Sequence, residues 1–288
     1  MRAIRELRLD GTGLTGLDPA IFRTEGLRLL TAYRNRITDL SAEIALLAPS
    51  LHTLNLADNL LTQVPAELGA LRQLHTLDLA HNRIAELPDS LGDLIGLTRY
   101  LYVADNRLTG LPATLCRLTG LRYLGATDNR LTALPSELGA MAGLRELRLQ
   151  HNRITALPAS LGELGELREL YLMGNQLAFL PETIGGLGAL RELRLMDNQL
   201  RALPGTIGEL HRLTRLDLRN NQLPELPGTM AGLTALTHLD LRNNRLRELP
   251  EGLLRLPLLE KLDLRWNPLE PASEVVHALE LRGCAVLL

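Results

Sequence analysis

The chain has 288 residues, a formal net charge of −2 at pH 7, a pI near 6.4 and only 3% aromatic residues. Near-neutral charge gives no electrostatic reason to expect nucleic acid or an anionic membrane as a partner. Cys116 and Cys284 lie far apart, the first residues lack the apolar run of a signal peptide, and no segment approaches ~18 uninterrupted apolar residues. We therefore expect a cytoplasmic protein without a disulfide. All basic residues except Lys261 are arginine, which we associate with a GC-rich bacterial genome.

A unit of 23 residues recurs along the whole chain and predicts its fold. In the copy that begins at Leu144, leucines occupy positions one, four and six, and Asn152 occupies position nine. Residues two apart point to the same face of a strand, so the leucines form a core face and positions three and five form a free face. Pro158 then ends the extended segment, and the leucines after it follow helical or 3₁₀ spacing. One unit cannot cover its own leucines, so stacking of neighbouring units in a parallel sheet must supply the core.

Twelve such repeats can be counted, and successive repeats start 23 residues apart except at two intervals of 24. The starts are Ile4, Leu27, Leu51, Leu74, Leu97, Leu121, Leu144, Leu167, Leu190, Leu213, Leu236 and Leu259. Position nine is asparagine in eleven repeats and Thr12 in the first. We interpret this asparagine as structural, because its amide can satisfy backbone groups that the bend leaves unpaired. In the fifth repeat the extra residue falls between Leu97 and Leu101, which predicts a bulge or a widened turn.

The two ends depart from the repeat pattern. Residues 1–50 form degenerate repeats, in which Asp18 and Ser41 replace the proline. The first strand begins almost at Met1 without a polar cap, so we expect either a fragment of a longer protein or an edge covered by a partner or a second copy, as in a homodimer. At the other end, residues 268–288 are predicted to be a C-terminal cap with a helix over 271–278 and a short strand over 284–288. We treat residues 1–288 as one solenoid domain.

Three stretches of the repeat pattern carry a family resemblance: LPSELGAMAGLRELRLQHNRIT, LPETIGGLGALRELRLMDNQL and LPGTMAGLTALTHLDLRNNRL. They resemble the intracellular leucine-rich repeats of Scribble-like and Ras-suppressor-like proteins, plant Ras-group proteins, Roco GTPases and many bacterial proteins. The resemblance implies a right-handed leucine-rich repeat solenoid, an α/β horseshoe with a parallel sheet on the concave face and short α or 3₁₀ segments on the convex face. It also implies a non-enzymatic scaffold that binds protein, without a cofactor. None of the family's binding residues can be transferred, because they occupy variable positions.

The exposed side of the predicted sheet is formed by positions three, five and seven of each repeat and is termed the strand face. All five tyrosines of the chain fall on it, and tyrosine is favoured at recognition surfaces. The alternative is that tyrosine simply favours strands and packs across the sheet. We predict a protein or peptide partner, with contacts from Tyr33, Tyr100, Tyr102, Tyr123, Arg148, Glu169, Tyr171, Met173, Arg194 and Met196.

Towards the C-terminus the strand face becomes ionic. Asp217, Asp240 and Asp263 form one column beside a column of Arg219, Arg242 and Arg265, which predicts a ladder that satisfies its own charges.

Two other functions stay open. One is a ligand-binding or enzymatic role centred on His81, which lies between Asp58 and Asp105 at position eight, together with the tyrosines; the neighbouring His52 and His75 raise the same question for a metal. Against an enzyme, an open strand face excludes water poorly, and neither pair has a third ligand or a nucleophile nearby. The other is a structural repeat module cut from a larger protein, such as one linked to a GTPase.

Overall fold

The computed structural model describes residues 4–270 and 273–288 and contains two compact units, of which unit 1 ends at Leu144 and unit 2 begins at Arg145. Within the described ranges no helix is long and apolar enough to cross a membrane. Each repeat contributes one strand of three residues followed by a short helical return, as the sequence predicts. The prediction of a single domain over residues 1–288 stays a prediction.

From residue 4 onwards, unit 1 contains six strands that pair in parallel, each with the next along the chain. They are β1 Glu6–Arg8, β2 Leu29–Thr31, β3 Thr53–Asn55, β4 Thr76–Asp78, β5 Tyr100–Tyr102 and β6 Tyr123–Gly125. The return segments are the short α-helix α1, Pro19–Phe22, and the 3₁₀ helices Ala42–Leu47, Ala66–Ala70, Asp89–Asp93, Ala113–Arg117 and Leu138–Ala140.

Unit 2 has the same plan, and its described residues include seven parallel strands in chain order. They are β7 Glu146–Arg148, β8 Glu169–Tyr171, β9 Glu192–Arg194, β10 Arg215–Asp217, β11 His238–Asp240, β12 Lys261–Asp263 and β13 Ala285–Leu287. The returns are the 3₁₀ helices Ala159–Glu163, Glu182–Gly186, Gly205–Glu209, Gly228–Gly232 and Glu251–Arg255, followed by the α-helix α2, Glu274–Leu281.

The leucines at positions one, four and six are buried in nearly every repeat and form the core. The asparagine at position nine joins consecutive repeats, as Asn221 illustrates. Its Nδ2 donates to the carbonyl oxygens of Leu195 and Leu218, each at 3.0 Å, and its Oδ1 accepts from the backbone N–H of Leu200 at 3.0 Å. Leu195 and Leu200 belong to the preceding repeat, so the predicted structural role of the asparagine is confirmed. The equivalent asparagines of unit 1, such as Asn59, make the same bonds.

The residue before this asparagine adopts a left-handed backbone conformation in most repeats. His81 has φ of 54°, Asp105 of 48° and Asn220 of 53°, and the same position in another repeat is a glycine, Gly174, with φ of 67°. Aspartate, asparagine and histidine tolerate this region better than other residues with side chains, and glycine is unstrained there. The backbone therefore restricts the choice of residue at position eight.

The fifth repeat absorbs its extra residue before the strand and not within it. The backbone N–H groups of Arg99 and Tyr100 both donate to the carbonyl oxygen of His75, and β5 then pairs with β4 in regular register from Tyr100 opposite Thr76. The insertion is therefore a widened turn between Leu97 and Arg99, one of the two predicted forms.

Both ends show how departures from the repeat are accommodated. Where the proline is missing, a side chain caps the return instead, because Asp18 accepts from the N–H of Ala20 and Ser41 from the N–H of Glu43. Ile4 is 56% exposed, so the first repeat is poorly covered, and the homodimer at this edge stays a prediction. The helix predicted over 271–278 is displaced: Ser273 caps it, and it continues to Leu281.

Positions 271 and 272 of the predicted helix lie outside the described residues. The strand predicted over 284–288 is confirmed as β13, which pairs with β12.

Candidate binding surface on the strand face

In unit 1 three tyrosines form one cluster on the strand face, termed the tyrosine cluster: Tyr100, Tyr102 and Tyr123. The ring of Tyr100 lies 5.7 Å from that of Tyr102 and 5.8 Å from that of Tyr123, and the remaining pair is 4.8 Å apart. These separations are those of favourable aromatic contacts. Tyr100 is 43% exposed, so the cluster presents aromatic surface while its rings hold one another in place.

A glycine makes room for this cluster. Gly125 pairs with Tyr102 across the sheet, and a Cβ added to Gly125 would lie 2.8 Å from a carbon of the Tyr123 ring. Any larger residue at position 125 would displace that ring. The sequence placed Gly125 in a column of the strand face but gave no sign of this role, which depends on the rotamer of Tyr123.

Tyr33 is 42% exposed and lies apart from the tyrosine cluster. It follows β2, whereas the cluster belongs to β5 and β6, and the two strands between them separate the sites by roughly 14 Å at the spacing of a parallel sheet. Its backbone N–H donates to the Asp10 carboxylate at 2.8 Å, which holds the chain but leaves the ring outward. The structure therefore assembles three of the four predicted tyrosine contacts in unit 1.

In unit 2 Tyr171 is the centre of an ionic network and is only 9% exposed. The guanidinium groups of Arg148 and Arg194 lie 5.0 and 5.3 Å from its ring centre, on the two neighbouring strands. Its hydroxyl donates to Glu169 at 2.7 Å and lies 3.3 Å from Glu192. Burial, the bond to Glu169 and the charges of Glu192 and Glu169 raise the pKa of Tyr171 far above its usual range. The ring of Tyr171 therefore lies beneath the strand face, and the guanidinium groups of Arg148 and Arg194 form the exposed surface there.

The two predicted methionine contacts lie beside this network. Met173 and Met196 follow β8 and β9 and are partly exposed. The guanidinium of Arg219 contacts the sulfur of Met196. A thioether side chain adapts its shape to different partners, so the pair gives unit 2 an apolar strip next to charged groups.

The predicted Asp and Arg columns form a continuous zigzag. Arg219 lies 3.0 Å from Asp217 and 3.6 Å from Asp240, and Arg242 lies 2.6 Å from Asp240 and 3.4 Å from Asp263. Arg265 closes the series at 2.7 Å from Asp263. Each inner charge therefore contacts two opposite charges, which confirms the prediction of a ladder that satisfies itself.

The first and last aspartates of this ladder, Asp217 and Asp263, differ in the direction of their pKa shifts. Burial raises the pKa of Asp217, and the bonds from Arg219 do not fully compensate. Burial would also raise the pKa of Asp263, but hydrogen bonds from Arg265 and the charges of Arg242 and Arg265 outweigh it and bring the pKa below its usual value. Asp263 is 2% exposed, so its charge is held by the two arginines and not by water.

A cleft of about 180 Å³ lies over β9 to β12, between the aspartate column and a column of Arg215, His238 and Lys261. Because the aspartates are engaged by the other arginines, Arg215 and Lys261 add positive charge that the ladder does not neutralise. The cleft lies beyond the predicted contact residues except Arg194. The aspartates that line the cleft were identified from the sequence, but the cleft itself was not.

The histidines weighed for an enzymatic or metal-binding role lie in two separate places in unit 1. Nδ1 of His81 lies 2.9 Å from Asp105, and both side chains are more than half exposed to water. The rings of His52 and His75 stack 5.0 Å apart, and burial, the charge of His75 and that of Arg28 lower the pKa of His52. Among the residues that the structure describes, no group of three or more potential ligands could hold a metal ion.

Two protein-family models match most of the chain. Residues 112–199 and 181–283 match a family model described as a leucine-rich repeat region, and residues 25–84, 49–108 and 72–131 match one described as a leucine rich repeat. The chain belongs to the leucine-rich repeat family. No curated protein matches this leucine-rich repeat chain.

Several solved structures share its fold. A leucine-rich repeat protein of Leptospira interrogans is 25% identical with a TM-score of 0.61, and the alignment covers 99% of this chain and 96% of that one. The ectodomain of the Arabidopsis thaliana receptor kinase GASSHO1/SCHENGEN3, in complex with CASPARIAN STRIP INTEGRITY FACTOR 2, is 29% identical with a TM-score of 0.76, over 98% of this chain and 38% of that one. FLRT2, in a complex with Latrophilin 3 and Unc5D, is 28% identical with a TM-score of 0.72, over 94% of this chain and 85% of that one.

Proposed function

We propose that this leucine-rich repeat protein is a non-enzymatic scaffold that binds a protein or peptide through its strand face. The tyrosine cluster of unit 1 carries the proposal. Three aromatic rings that brace one another lose little freedom on binding, and aromatic side chains are enriched among the residues that dominate binding energy. Similar repeat proteins are seen with protein or peptide partners, as in the GASSHO1/SCHENGEN3 and FLRT2 complexes.

The network around Tyr171 is a second contact region, in unit 2. Arg148, Arg194 and Glu169 offer both signs of charge, and Met173 and Met196 offer apolar contact. This chemistry suits a peptide or protein that carries both acidic and basic side chains. Tyr171 contributes by fixing the arginines, and Tyr33 adds a separate aromatic contact in unit 1.

The test is a comparison of variants after capture of partners from the source lysate. One variant removes the tyrosine cluster by Tyr100→Ala, Tyr102→Ala and Tyr123→Ala. A matched variant of unit 1, Leu46→Ala with Ile95→Ala, removes side chains that are 53% and 66% exposed, the first in a return segment and the second in the turn that follows one. A captured protein is then purified, and its affinity is measured by calorimetry.

We expect the tyrosine variant to lose at least about tenfold in affinity, since one such contact is typically worth more than 1 kcal/mol. The matched variant should bind like the wild type, and both variants should keep the circular dichroism of the wild type. Equal affinity for all three proteins would remove the tyrosine cluster from the binding surface.

A further inference from the structure

A second surface of unit 2, outside the strand face, gathers arginines. Arg145, Arg168 and Arg191 occupy position two of successive repeats, just before β7, β8 and β9. The N–H of Arg168 donates to the carbonyl of Arg145 at 2.8 Å, and that of Arg191 to the carbonyl of Arg168 at 2.8 Å. Their backbones are thus about 4.8 Å apart, the spacing of neighbouring strands.

A polar cleft of about 350 Å³ opens beside these arginines and is termed the edge cleft. It is lined by Gly165, Glu166, Arg168, Gly188, Ala189, Arg191 and Arg212. A Cβ added to Gly165 or Gly188 would meet nothing within 4 Å, so the space above the loops is open. The arginine side chains are exposed, and Glu166 is the one carboxylate among the lining residues.

These arginines differ from those on the strand face of the same unit. There, Arg194 pairs with Glu192 at 2.5 Å and Arg242 pairs with two aspartates. In the part of unit 2 that the structure describes, Arg145, Arg168, Arg191 and Arg212 form no ion pair with a carboxylate. Glu169 and Glu192 follow them in sequence but point to the opposite face, where they contact Tyr171.

Like charges held in a row repel one another unless a counter-charge joins them. A single carboxylate is matched by one guanidinium, whereas a phosphate group carries up to two charges and three terminal oxygens, which adjacent guanidiniums can share. We propose that the edge cleft binds a phosphate group through Arg168, Arg191 and Arg212, with Arg145 adding positive charge. The group is either inorganic phosphate or a phosphorylated side chain.

The experiment follows amide and arginine side-chain NMR signals of the full chain during titration at low ionic strength. The probes are inorganic phosphate, a phosphoserine peptide and the same peptide with unmodified serine. The test variant is Arg168→Gln with Arg191→Gln. The control is Arg153→Gln with Arg201→Gln, which makes the same change in net charge at two exposed arginines of unit 2.

We expect saturable shifts around residues 165–168 and 188–191 in the wild type and the control, with at least about tenfold weaker binding in the test variant. Glu166→Gln should strengthen phosphate binding by roughly two- to fivefold, because it removes the negative charge that repels the phosphate from the cleft. Tighter binding of the phosphoserine peptide than of phosphate identifies a phosphoprotein source, and the reverse identifies the free anion. Equal weakening in test and control variants, or no saturation with either probe, would overturn the proposal.

Discussion

Asn221→Ala measures how much the asparagine that joins consecutive repeats contributes to stability. The side chain is 8% exposed and makes four hydrogen bonds, of which those to Leu195 and Leu200 reach the preceding repeat. Alanine leaves the buried N–H of Leu200 without an acceptor. The three carbonyls each keep a second donor, from Asn198, Asn244 and the backbone N–H of Asp197. At about 1–3 kcal/mol for one unsatisfied buried group, the free energy of unfolding should fall by about 1–3 kcal/mol.

The assay is urea unfolding followed by circular dichroism, with hydrogen exchange of the Leu200 amide as a local measure. Gln199→Ala is the control, because its side chain is exposed and its backbone N–H bond to Leu177 is kept. The control should change stability by less than about 0.5 kcal/mol. If Asn221→Ala cost no more than Gln199→Ala, or if the Leu200 amide stayed protected, the asparagine would not hold the repeats together.

Three further predictions concern single residues. Gly92→Ala places a Cβ 2.2 Å from the carbonyl oxygen of Thr114 and should cost about 1–3 kcal/mol, whereas Gly110→Ala, with nothing within 4 Å, should not lower the thermal midpoint. The pKa of Asp263 is lower in the folded protein than in the unfolded chain. The ionised carboxylate therefore stabilises the fold above its unfolded-chain pKa, and this contribution is lost as the pH falls through the folded value. The free energy of unfolding of Asp263→Asn should thus decline less than that of the wild type below about pH 4, and the same pH dependence in both proteins would contradict this. Tyr171→Phe and wild type should show the same phenolate absorbance up to about pH 11, since the raised pKa keeps Tyr171 protonated there; a smaller rise in the variant would show that Tyr171 ionises normally.

Much of the fold was predictable because one short pattern repeats. The spacing of leucines predicts the strands, the core and the parallel order, and the asparagine marks each bend. Periodicity is weakest where the repeat degenerates, so the limits of α2 were misjudged. There Ser273, a side-chain cap, decides the start of the helix, which neither repeat spacing nor Pro271 indicated.

The candidate site was predictable to the level of columns but not of side chains. Position five placed Arg148, Tyr171 and Arg194 on neighbouring strands, and the structure agrees. It did not reveal that the two arginines cover the ring, since this depends on rotamers and on the bond from Tyr171 to Glu169. The edge cleft was missed for another reason: the open space comes from Gly165 and Gly188, which the sequence shows only as loop glycines.

The asparagine bonds give each stack of repeats a direction. Asn59 satisfies groups of the repeat before it, and Asn244 does the same in unit 2. Removing a repeat from the C-terminal side of a stack therefore leaves a buried N–H, such as that of Leu223, without its asparagine acceptor, whereas removing one from the N-terminal side leaves this bond intact in every remaining repeat. Truncation at the C-terminal side of a repeat should therefore require a replacement for this asparagine acceptor, which truncation at the N-terminal side does not.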